Sequence, residues 1–409
     1  MVGSWDRTVR VWNLTADDPS RNPVVFTGHE GITSRLAISF DNRWLFTSST
    51  DRTVRRWDLT AQDSSADPFV LRGHTSIVWT ASFSGDGRSL ATGSQDETAC
   101  VWDLADPHPA ARPLILRGHK GSFETASLAP NGRLLATGSW DCTARLWDLT
   151  AADPSASHVV LNGHQGAVWK LTISPDGRWL ATASGDKTAR VWDLIAADPS
   201  ANPVILRGHQ HAVHAVGFSP NGRRLATGSE DYSLRIWDLT ATDPSAAPLV
   251  IPTGRHQVWS LAFSPDGRWL ATGSGDSIAR LWDLTAADPA AAPVMLHGHV
   301  GPVWAVAMSP DGTWLATGSE DTTVRLWDLT AADPSANPIV LRANGGVVKG
   351  LAISSDGQRL ASTGFDSTVR VWNLNTDSLI EIARRAAGRE LTESERQIFA
   401  TRRGATSAR

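Results

Sequence analysis

A tryptophan recurs at one interval along almost the whole chain, and this regularity constrains the fold more than any other feature. Nine such residues stand 45 positions apart, with no insertion or deletion between them. They are Trp12, Trp57, Trp102, Trp147, Trp192, Trp237, Trp282, Trp327 and Trp372. A repeat period of this length is typical of propellers and solenoids, in which one supersecondary unit is copied. We therefore expect one repeat domain.

Each repeat is predicted to form four antiparallel strands. In residues 298–329 the apolar run PVWAVAMS fits a buried inner strand, WLATGS a second strand and TVRLWDL a third. A short apolar run before the next Gly-His pair supplies an outer strand. In seven of eight complete units an Asp-Gly or Asn-Gly pair, such as Asp176-Gly177, permits the positive φ of a tight turn. This pattern is typical of a propeller blade.

The Gly-His and Trp-Asp marks at this spacing resemble the WD-repeat family over nearly the whole chain. The resemblance implies an all-β fold, a single propeller of eight four-stranded blades closed by pairing N-terminal with C-terminal strands. It also implies that a buried hydrogen-bond chain, a structural staple, joins a His, an Asp, a Ser or Thr and the repeated Trp of each blade.

The staple residues follow from their positions in the repeat. The histidines are His29, His74, His119, His164, His209 and His299. The aspartates are Asp51, Asp96, Asp141, Asp186, Asp231, Asp276, Asp321 and Asp366, and the tryptophans are the repeated ones from Trp57 onward. Gly254 and Asn344 replace the histidine in two units. We expect those two blades to be locally weaker, because a buried Asp without its His loses a charge-assisted hydrogen bond.

An arginine stands two residues before the repeated Trp in eight of nine repeats, with Cys100 as the exception. We expect each arginine to pair locally within its blade rather than to form a basic ring. The two cysteines, Cys100 and Cys142, supply no disulfide framework and no zinc spacing, which favours a reducing cytosol. No apolar run approaches the roughly 18 to 20 residues needed to cross a bilayer. A cytoplasmic, monomeric propeller without membrane contact is therefore expected.

The ends of the repeat array set the predicted boundaries. Residues 15–374 hold eight complete units, and residues 23–26 are expected to pair with the strand ending at Trp372, which closes an eight-bladed ring. Residues 1–14 are then a surplus partial blade. Alternatively, residues 8–12 displace residues 368–372 from the closing blade, and counts of seven or nine blades stay open.

The last segment, residues 375–409, differs in composition and is predicted to form two short helices with a disordered end. Leu379, Ile382 and Ala386 have helical spacing, and Thr392 with Glu395 forms a capping-box pattern. This tail is similar to those that close propellers of bacterial signalling proteins, which suggests that the chain is part of one.

Positions that differ between repeats are the expected binding residues, because identical positions serve the shared scaffold. In the family two variable positions open on the top face, and here they combine aromatic with charged side chains, as interaction hot spots do. The candidates are Trp79, Trp140, Trp169, His214, Glu230, Trp259, Trp304, Glu320, Lys349 and Phe365. The recurring Trp can also be consensus packing, and both interpretations stay open.

Three classes of function compete. The sequence favours a non-catalytic scaffold or sensor that binds a protein or peptide, without cofactor or metal. A His/Asp/Ser-or-Thr set repeated in every blade suits a staple, whereas a catalytic triad is needed once. A small-molecule-binding or enzymatic propeller using the axial channel is the alternative. A net charge of −4 argues against a general nucleic-acid binder, which would present a basic face.

Overall fold

Eight blades arranged in a ring make up the fold, and strands are its only regular elements in the residues described. The computed structural model describes residues 8–12, 23–27, 33–38, 44–49, 51–58, 69–76, 78–84, 89–103, 113–254, 256–342, 347–353, 359–364 and 369–373. Seven blades are four-stranded antiparallel sheets and one is three-stranded.

Blades 1 to 4 occupy the first half of the array. Blade 1 consists of β3 (Thr33–Ile38), β4 (Trp44–Ser49), β5 (Thr53–Asp58) and β6 (Phe69–Arg72). Blade 2 consists of β7 (Val78–Phe83), β8 (Ser89–Ser94), β9 (Thr98–Asp103) and β10 (Leu114–Arg117). Blade 3 consists of β11 (Phe123–Leu128), β12 (Leu134–Ser139), β13 (Ala144–Asp148) and β14 (Val159–Leu161). Blade 4 consists of β15 (Val168–Ile173), β16 (Trp179–Ser184), β17 (Ala189–Asp193) and β18 (Val204–Leu206).

Blades 5 to 8 complete the ring. Blade 5 consists of β19 (Val213–Phe218), β20 (Arg224–Ser229), β21 (Ser233–Asp238) and β22 (Leu249–Pro252). Blade 6 consists of β23 (Val258–Phe263), β24 (Trp269–Ser274), β25 (Ala279–Asp283) and β26 (Val294–Leu296). Blade 7 consists of β27 (Val303–Met308), β28 (Trp314–Ser319), β29 (Thr323–Asp328) and β30 (Ile339–Arg342). Blade 8 consists of β31 (Val348–Ile353), β32 (Arg359–Gly364) and β33 (Val369–Asn373). Two further strands, β1 (Thr8–Trp12) and β2 (Pro23–Thr27), precede blade 1.

The inner strands of the blades form a closed ring around the axis. Each first strand contacts the first strand of the next blade, from β3 and β7 through to β27 and β31. The last inner strand, β31, contacts β3 and closes the circle. This arrangement confirms the predicted eight-bladed, all-β propeller, in which each inner strand contacts the inner strands of both neighbouring blades.

The pairing that was predicted to close the ring is wrong. Strand β2 pairs antiparallel with β1, with Thr8 opposite Thr27 and Trp12 opposite Pro23, and not with the strand that ends at Trp372. Strand β1 does not displace residues 368–372 either, because β33 stays paired with β32 while β1 lies beside β33. Residues 8–14 repeat the sequence TVRVWNL of residues 368–374. Strand β1 therefore offers β2 an equivalent partner that is much closer along the chain, so less loop-closure entropy is lost.

The hydrophobic core consists of separate clusters between neighbouring blades. One cluster joins Val191 of blade 4 to Val213, Leu225 and Trp237 of blade 5. Six of the repeated tryptophans are fully buried in such clusters, and their large apolar surfaces account for much of the contact between blades. The glycine of the second strand serves the same packing, since a Cβ on Gly228 would come within 2.5 Å of Val258 in the next blade.

The turns and the chain ends complete the comparison with the sequence. The turn glycines of blades 3 to 7 have the predicted positive φ, as at Gly177, where φ is +74°. The predicted helical tail lies outside the described residues, and the boundaries at residues 14 and 374 stay predictions. None of the described segments forms a helix long and apolar enough to cross a membrane.

Candidate functional site

A chain of four hydrogen-bonded side chains runs through the interior of blade 3. The indole Nε1 of Trp147 donates to Thr137 Oγ1 at 2.8 Å, and Thr137 Oγ1 lies 3.0 Å from His119 Nε2. On the other side of the imidazole, His119 Nδ1 lies 2.8 Å from Asp141 Oδ2. Because a carboxylate can only accept, Nδ1 carries the proton and Nε2 accepts from the threonine hydroxyl.

The aspartate of this chain also anchors two loops. Asp141 accepts from the backbone N–H groups of Lys120 and Thr143, both at 2.9 Å. Burial alone would raise the pKa of Asp141, but the hydrogen bonds, above all the one from His119, hold it well below its usual range. Burial lowers the pKa of His119, so the ring is neutral at neutral pH. The polar atoms of these four side chains thus form hydrogen bonds within the blade, which is what a structural staple requires.

Four further blades repeat this arrangement. The distance from His Nδ1 to Asp Oδ2 is 3.1 Å in blade 2 and 2.8 Å in blades 4, 5 and 7. The sets are His74, Asp96 and Trp102; His164, Asp186 and Trp192; His209, Asp231 and Trp237; and His299, Asp321 and Trp327. The structure thus brings these predicted residues together, through Thr92, Thr182, Thr227 and Thr317 respectively.

For the predicted staples of blades 1 and 8 the structure describes some of the residues only. Asp51 accepts from the backbone N–H of Thr53 at 2.9 Å and from its hydroxyl at 2.6 Å. Trp57 and Trp372 lie on β5 and β33. His29 and Asp366 lie outside the described residues.

In blade 6 an arginine takes the place of the missing histidine. Arg280 on β25 forms an ion pair with Asp276 through both terminal guanidinium nitrogens, and Nη1 lies 3.1 Å from Oδ1. Only 7% of the arginine side chain and 13% of the aspartate side chain are exposed. Gly254 stands at the repeat position that holds the histidine in blades 2 to 5 and 7, and a Cβ there would approach the guanidinium to 3.6 Å. The expectation that Asp276 lacks a charge-assisted partner is therefore wrong, because the missing imidazole leaves room for Arg280.

Elsewhere the equivalent arginines have a different partner. In blades 4, 5 and 7 the Nη2 atoms of Arg190, Arg235 and Arg325 donate to the carbonyl oxygens of Gly163, Gly208 and Gly298, at 2.7 to 2.9 Å. Each of these glycines precedes the staple histidine, so the contacts are local, as the sequence predicts. Cys100 holds this position in blade 2, where burial raises the pKa of its thiol to about 12 and keeps it protonated.

The first candidate binding position lies on a β-bulge in every inner strand. In blade 4, Val168 pairs with Ser184 and Lys170 pairs with Ala183, which leaves Trp169 as the extra residue. The same register shift occurs in all eight inner strands. A bulge bends the strand and re-aims its side chain. The bulges lie where the inner strands begin, so the bulged residues surround one mouth of the central channel. This end of the propeller is the top face.

Five aromatic rings from consecutive blades form a continuous arc on this face. Successive ring centroids lie 5.3, 5.7, 5.0 and 4.8 Å apart, distances at which aromatic rings attract one another. In order from blade 3 to blade 7 the rings of this aromatic arc are Trp140, Trp169, His214, Trp259 and Trp304. Among the tryptophans whose exposure the structure describes, Trp140 is the most exposed, with 55% of its surface accessible to solvent.

Three glutamates, the rim glutamates, hold the ring N–H groups of alternate blades. Glu124 accepts from Trp140 Nε1 at 2.9 Å in blade 3. Glu230 lies 2.9 Å from His214 Nε2 in blade 5. The third, Glu320, accepts from Trp304 Nε1 at 3.2 Å in blade 7. Carboxylate charge is thus spread along the arc at every second blade.

In the intervening blades glycine stands at the position before the blade aspartate. Gly185 in blade 4 would place a Cβ only 3.0 Å from Trp169 Nε1, and Gly275 in blade 6 would place one 3.6 Å from Trp259 Nε1. The glycines thus make room for the indoles. Trp169 Nε1 is buried and finds no acceptor among the described residues.

The opposite face carries tryptophans that are already covered by cations of this chain. In blade 6 the guanidinium of Arg268 lies 4.8 Å from the ring centroid of Trp269 and donates to Asp283 at 2.8 Å. The hydrogen bond from Arg268 lowers the pKa of Asp283 to about 2. In blade 4, Arg178 lies likewise over Trp179 at 4.6 Å. No Arg or Lys whose side chain the structure describes covers Trp140, Trp169 or Trp259, or pairs with a rim glutamate.

For the remaining binding candidates the structure gives a backbone position or no position. Trp79 on β7 and Lys349 on β31 hold the same bulge position as Trp169. Phe365 lies outside the described residues. The sequence-based candidates did not include Glu124, although its position faces Trp140, the exceptional aromatic of the same blade. Within the described residues no group of three or more His, Cys, Asp or Glu is arranged to hold a metal ion.

A ring of four-stranded blades, stapled by His, Asp, Thr and Trp, defines a WD-type β-propeller. The family model described as "WD domain, G-beta repeat" matches eight segments, residues 21–58, 67–103, 112–148, 156–193, 202–238, 249–283, 293–328 and 338–373. The chain therefore belongs to the WD-repeat family, whose members generally mediate protein–protein interactions. No curated protein sequence matches the chain.

Proposed function

We propose that this propeller is a non-catalytic scaffold or sensor module that binds a protein or peptide across its top face. The observation that carries the proposal is the aromatic arc. Aromatic side chains at the centre of a charged rim supply most of the binding energy at many protein interfaces. Here five of them lie in contact across five consecutive blades.

The buried polar groups support a structural rather than a catalytic role for the staples. The hydroxyl of Thr137 accepts from Trp147 and donates to His119, so neither of its polar groups is available to a substrate. The same arrangement recurs in four other blades, whereas catalysis needs a single site.

The charge of the top face favours protein over nucleic acid as the partner. The rim glutamates lie beside the rings on which bases would have to stack, and carboxylates repel phosphates. The resemblance of the tail to those of bacterial signalling proteins supports a signalling role. A cytoplasmic monomer remains part of this proposal.

Selection of peptides from a random displayed library against the full chain tests the proposal. The selected peptides are then measured against Trp140→Ala, Trp259→Ala and Trp304→Ala, each checked for folding by circular dichroism. We expect each substitution to weaken binding by about tenfold or more, as truncation of an interface anchor does.

Ile195→Ala is the matched control, because Ile195 is 69% exposed in the linker after β17, at the opposite end of the blade. Binding that survives all three tryptophan substitutions but is lost in the Ile195 variant would reject the top face as the working surface.

A further inference from the structure

The two ends of the propeller use tryptophan differently, and the difference indicates what the top face binds. On the opposite face a tryptophan, a carboxylate and an arginine of the same blade form a closed set. Arg178 lies over Trp179 and donates to Asp193 at 3.0 Å, and Arg268 joins Trp269 to Asp283 in the same way. In both sets a guanidinium fills the position at which a tryptophan ring and a carboxylate adjoin.

The top face presents the first two members of such a set without the third. Trp140 adjoins Glu124, and its ring is the most exposed tryptophan surface of the described residues. No arginine or lysine in the described part of the chain lies over this ring or pairs with this carboxylate. A cation that filled this position would meet a negative ring face and a carboxylate at once.

The hydrogen bonds within the arc strengthen its attraction for cations. The indole N–H of Trp140 points at a carboxylate, and such a bond polarises the donor ring toward greater negative charge on its face. His214, between Trp169 and Trp259, is bonded to Glu230 in the same manner. The carboxylates therefore attract a cation directly and also increase the attraction of the aromatic rings to which they are hydrogen-bonded.

The spacing of the charges defines the shape of the ligand. The rim glutamates belong to blades 3, 5 and 7, while blades 4 and 6 have glycine at the position before the blade aspartate. Three carboxylates separated by intervening blades suit several cations along an extended segment, and a single small cation would meet only one of them.

We propose that the partner segment, given the proposed function, is an extended basic peptide. Its arginine or lysine side chains lie against the aromatic arc and pair with the rim glutamates. Each guanidinium or ammonium group takes the position that Arg178 and Arg268 occupy on the opposite face.

Binding of three fluorescein-labelled degenerate nonapeptides to the full chain tests this proposal by fluorescence anisotropy. Every second residue is arginine in the first, citrulline in the second and glutamate in the third, and the other positions are random. Citrulline keeps the shape of arginine and removes its charge. We expect the arginine peptide to bind about tenfold or more tightly than the citrulline peptide, a ratio worth about 1.4 kcal/mol, and to weaken with salt.

Two sets of variants assign the effect to residues. Glu124→Gln, Glu230→Gln and Trp140→Ala should each weaken binding of the arginine peptide several-fold. Trp269→Ala, on the opposite face, is the matched control and should leave binding unchanged. All variants are compared by melting temperature, so that a loss of fold is separated from a loss of binding.

The outcomes separate this inference from the proposed function. If the citrulline or glutamate peptide binds as tightly as the arginine peptide and loses affinity in Trp140→Ala, the top face binds peptides but not through cations. If no peptide binds, or if only Trp269→Ala reduces binding, the basic-peptide proposal is rejected. The library selection described above then decides about the top face alone.

Discussion

Single side chains decide how each blade holds its buried aspartate. In five blades an imidazole fills the position, and in blade 6 a guanidinium does. Arg280 and Arg235 hold the same repeat position. Arg235 donates to the Gly208 carbonyl at 2.9 Å in blade 5, whereas Arg280 pairs with Asp276 in blade 6. The same repeat position thus has different partners in blades 5 and 6, and Gly254 leaves the space that the guanidinium uses in blade 6.

Arg280→Ala should destabilise the protein far more than the same substitution at the equivalent position of blade 5. It leaves the largely buried Asp276 without its charged partner, at a cost of about 3 kcal/mol. The matched control Arg235→Ala removes one charge-assisted hydrogen bond to a carbonyl, worth about 1.5 kcal/mol at this half-buried position. Urea unfolding measures both. Similar losses in the two variants would show that Arg280 does not replace the histidine.

Trp192→Ala should destabilise the fold far more than Trp169→Ala. Trp192 is fully buried and donates to Thr182, so its truncation creates a cavity that costs about 3 to 5 kcal/mol. Trp169 is only partly buried on the top face. Melting temperatures of the two variants measure the difference, and equal losses would contradict the distinction between core and rim tryptophans.

At the scale of the element, the bulge at the start of each inner strand connects fold and site. It leaves one residue per blade outside the regular pairing, and that residue is free to vary without disturbing the sheet. This freedom explains how tryptophan, histidine and glutamate can occupy one repeat position while the neighbouring residues stay similar.

The pairing of the closing strands leads to a prediction at this scale. Deletion of residues 1–14 should leave the propeller folded, with β2 transferred from β1 to β33, because residues 369–373 repeat residues 9–13. Cysteines at Val24 and Val371 should then be joined by a short thiol crosslinker in the deletion variant. In the full chain, cysteines at Val24 and Val11, which stand opposite each other, should be joined instead.

A control without Cys100 and Cys142 removes the natural thiols from this experiment. Aggregation of the deletion variant, or the absence of the Val24-to-Val371 crosslink, would show that β1 cannot be replaced.

For the whole molecule, repetition of the staple predicts a marked loss of stability in acid. The aspartates of blades 2 to 5 and 7 have pKa values lowered below their ordinary 3.8, and His119 has a pKa lowered below its ordinary 6.5. For both kinds of group the unfolded chain binds more protons than the folded one. Their stabilisation is therefore fully present above the ordinary values, and it is lost as the pH falls from those values through the lowered pKa values of the folded protein.

Urea unfolding between about pH 7 and about pH 3 should show a free energy of unfolding that declines first through His119 and then steeply below about pH 4. In Asp141→Asn the steep part should be shallower, because one titrating carboxylate is gone. A stability that does not change over this range would contradict the proposed protonation states.

The repeat alone determined the blades of this protein. Strand pairing within a blade is local, so the 45-residue period, the Asp-Gly turns and the apolar runs are enough to predict four strands and a ring. The staple residues were predicted from the resemblance to the WD-repeat family, because each member of that family's staple stands at a constant position in every copy.

Only the tertiary structure decided three features: the partner of Asp276, the partner of β2 and the aromatic arc. Each depends on residues that the folded chain brings together. Arg280 reaches Asp276 because Gly254 leaves a gap, and a linear pattern does not show gaps. Two strands of equal sequence compete for β2, and the shorter connection rather than the residues selects β1. The aromatic arc exists because residues 45 positions apart become neighbours when the inner strands close a ring, and that proximity belongs to the ring as a whole.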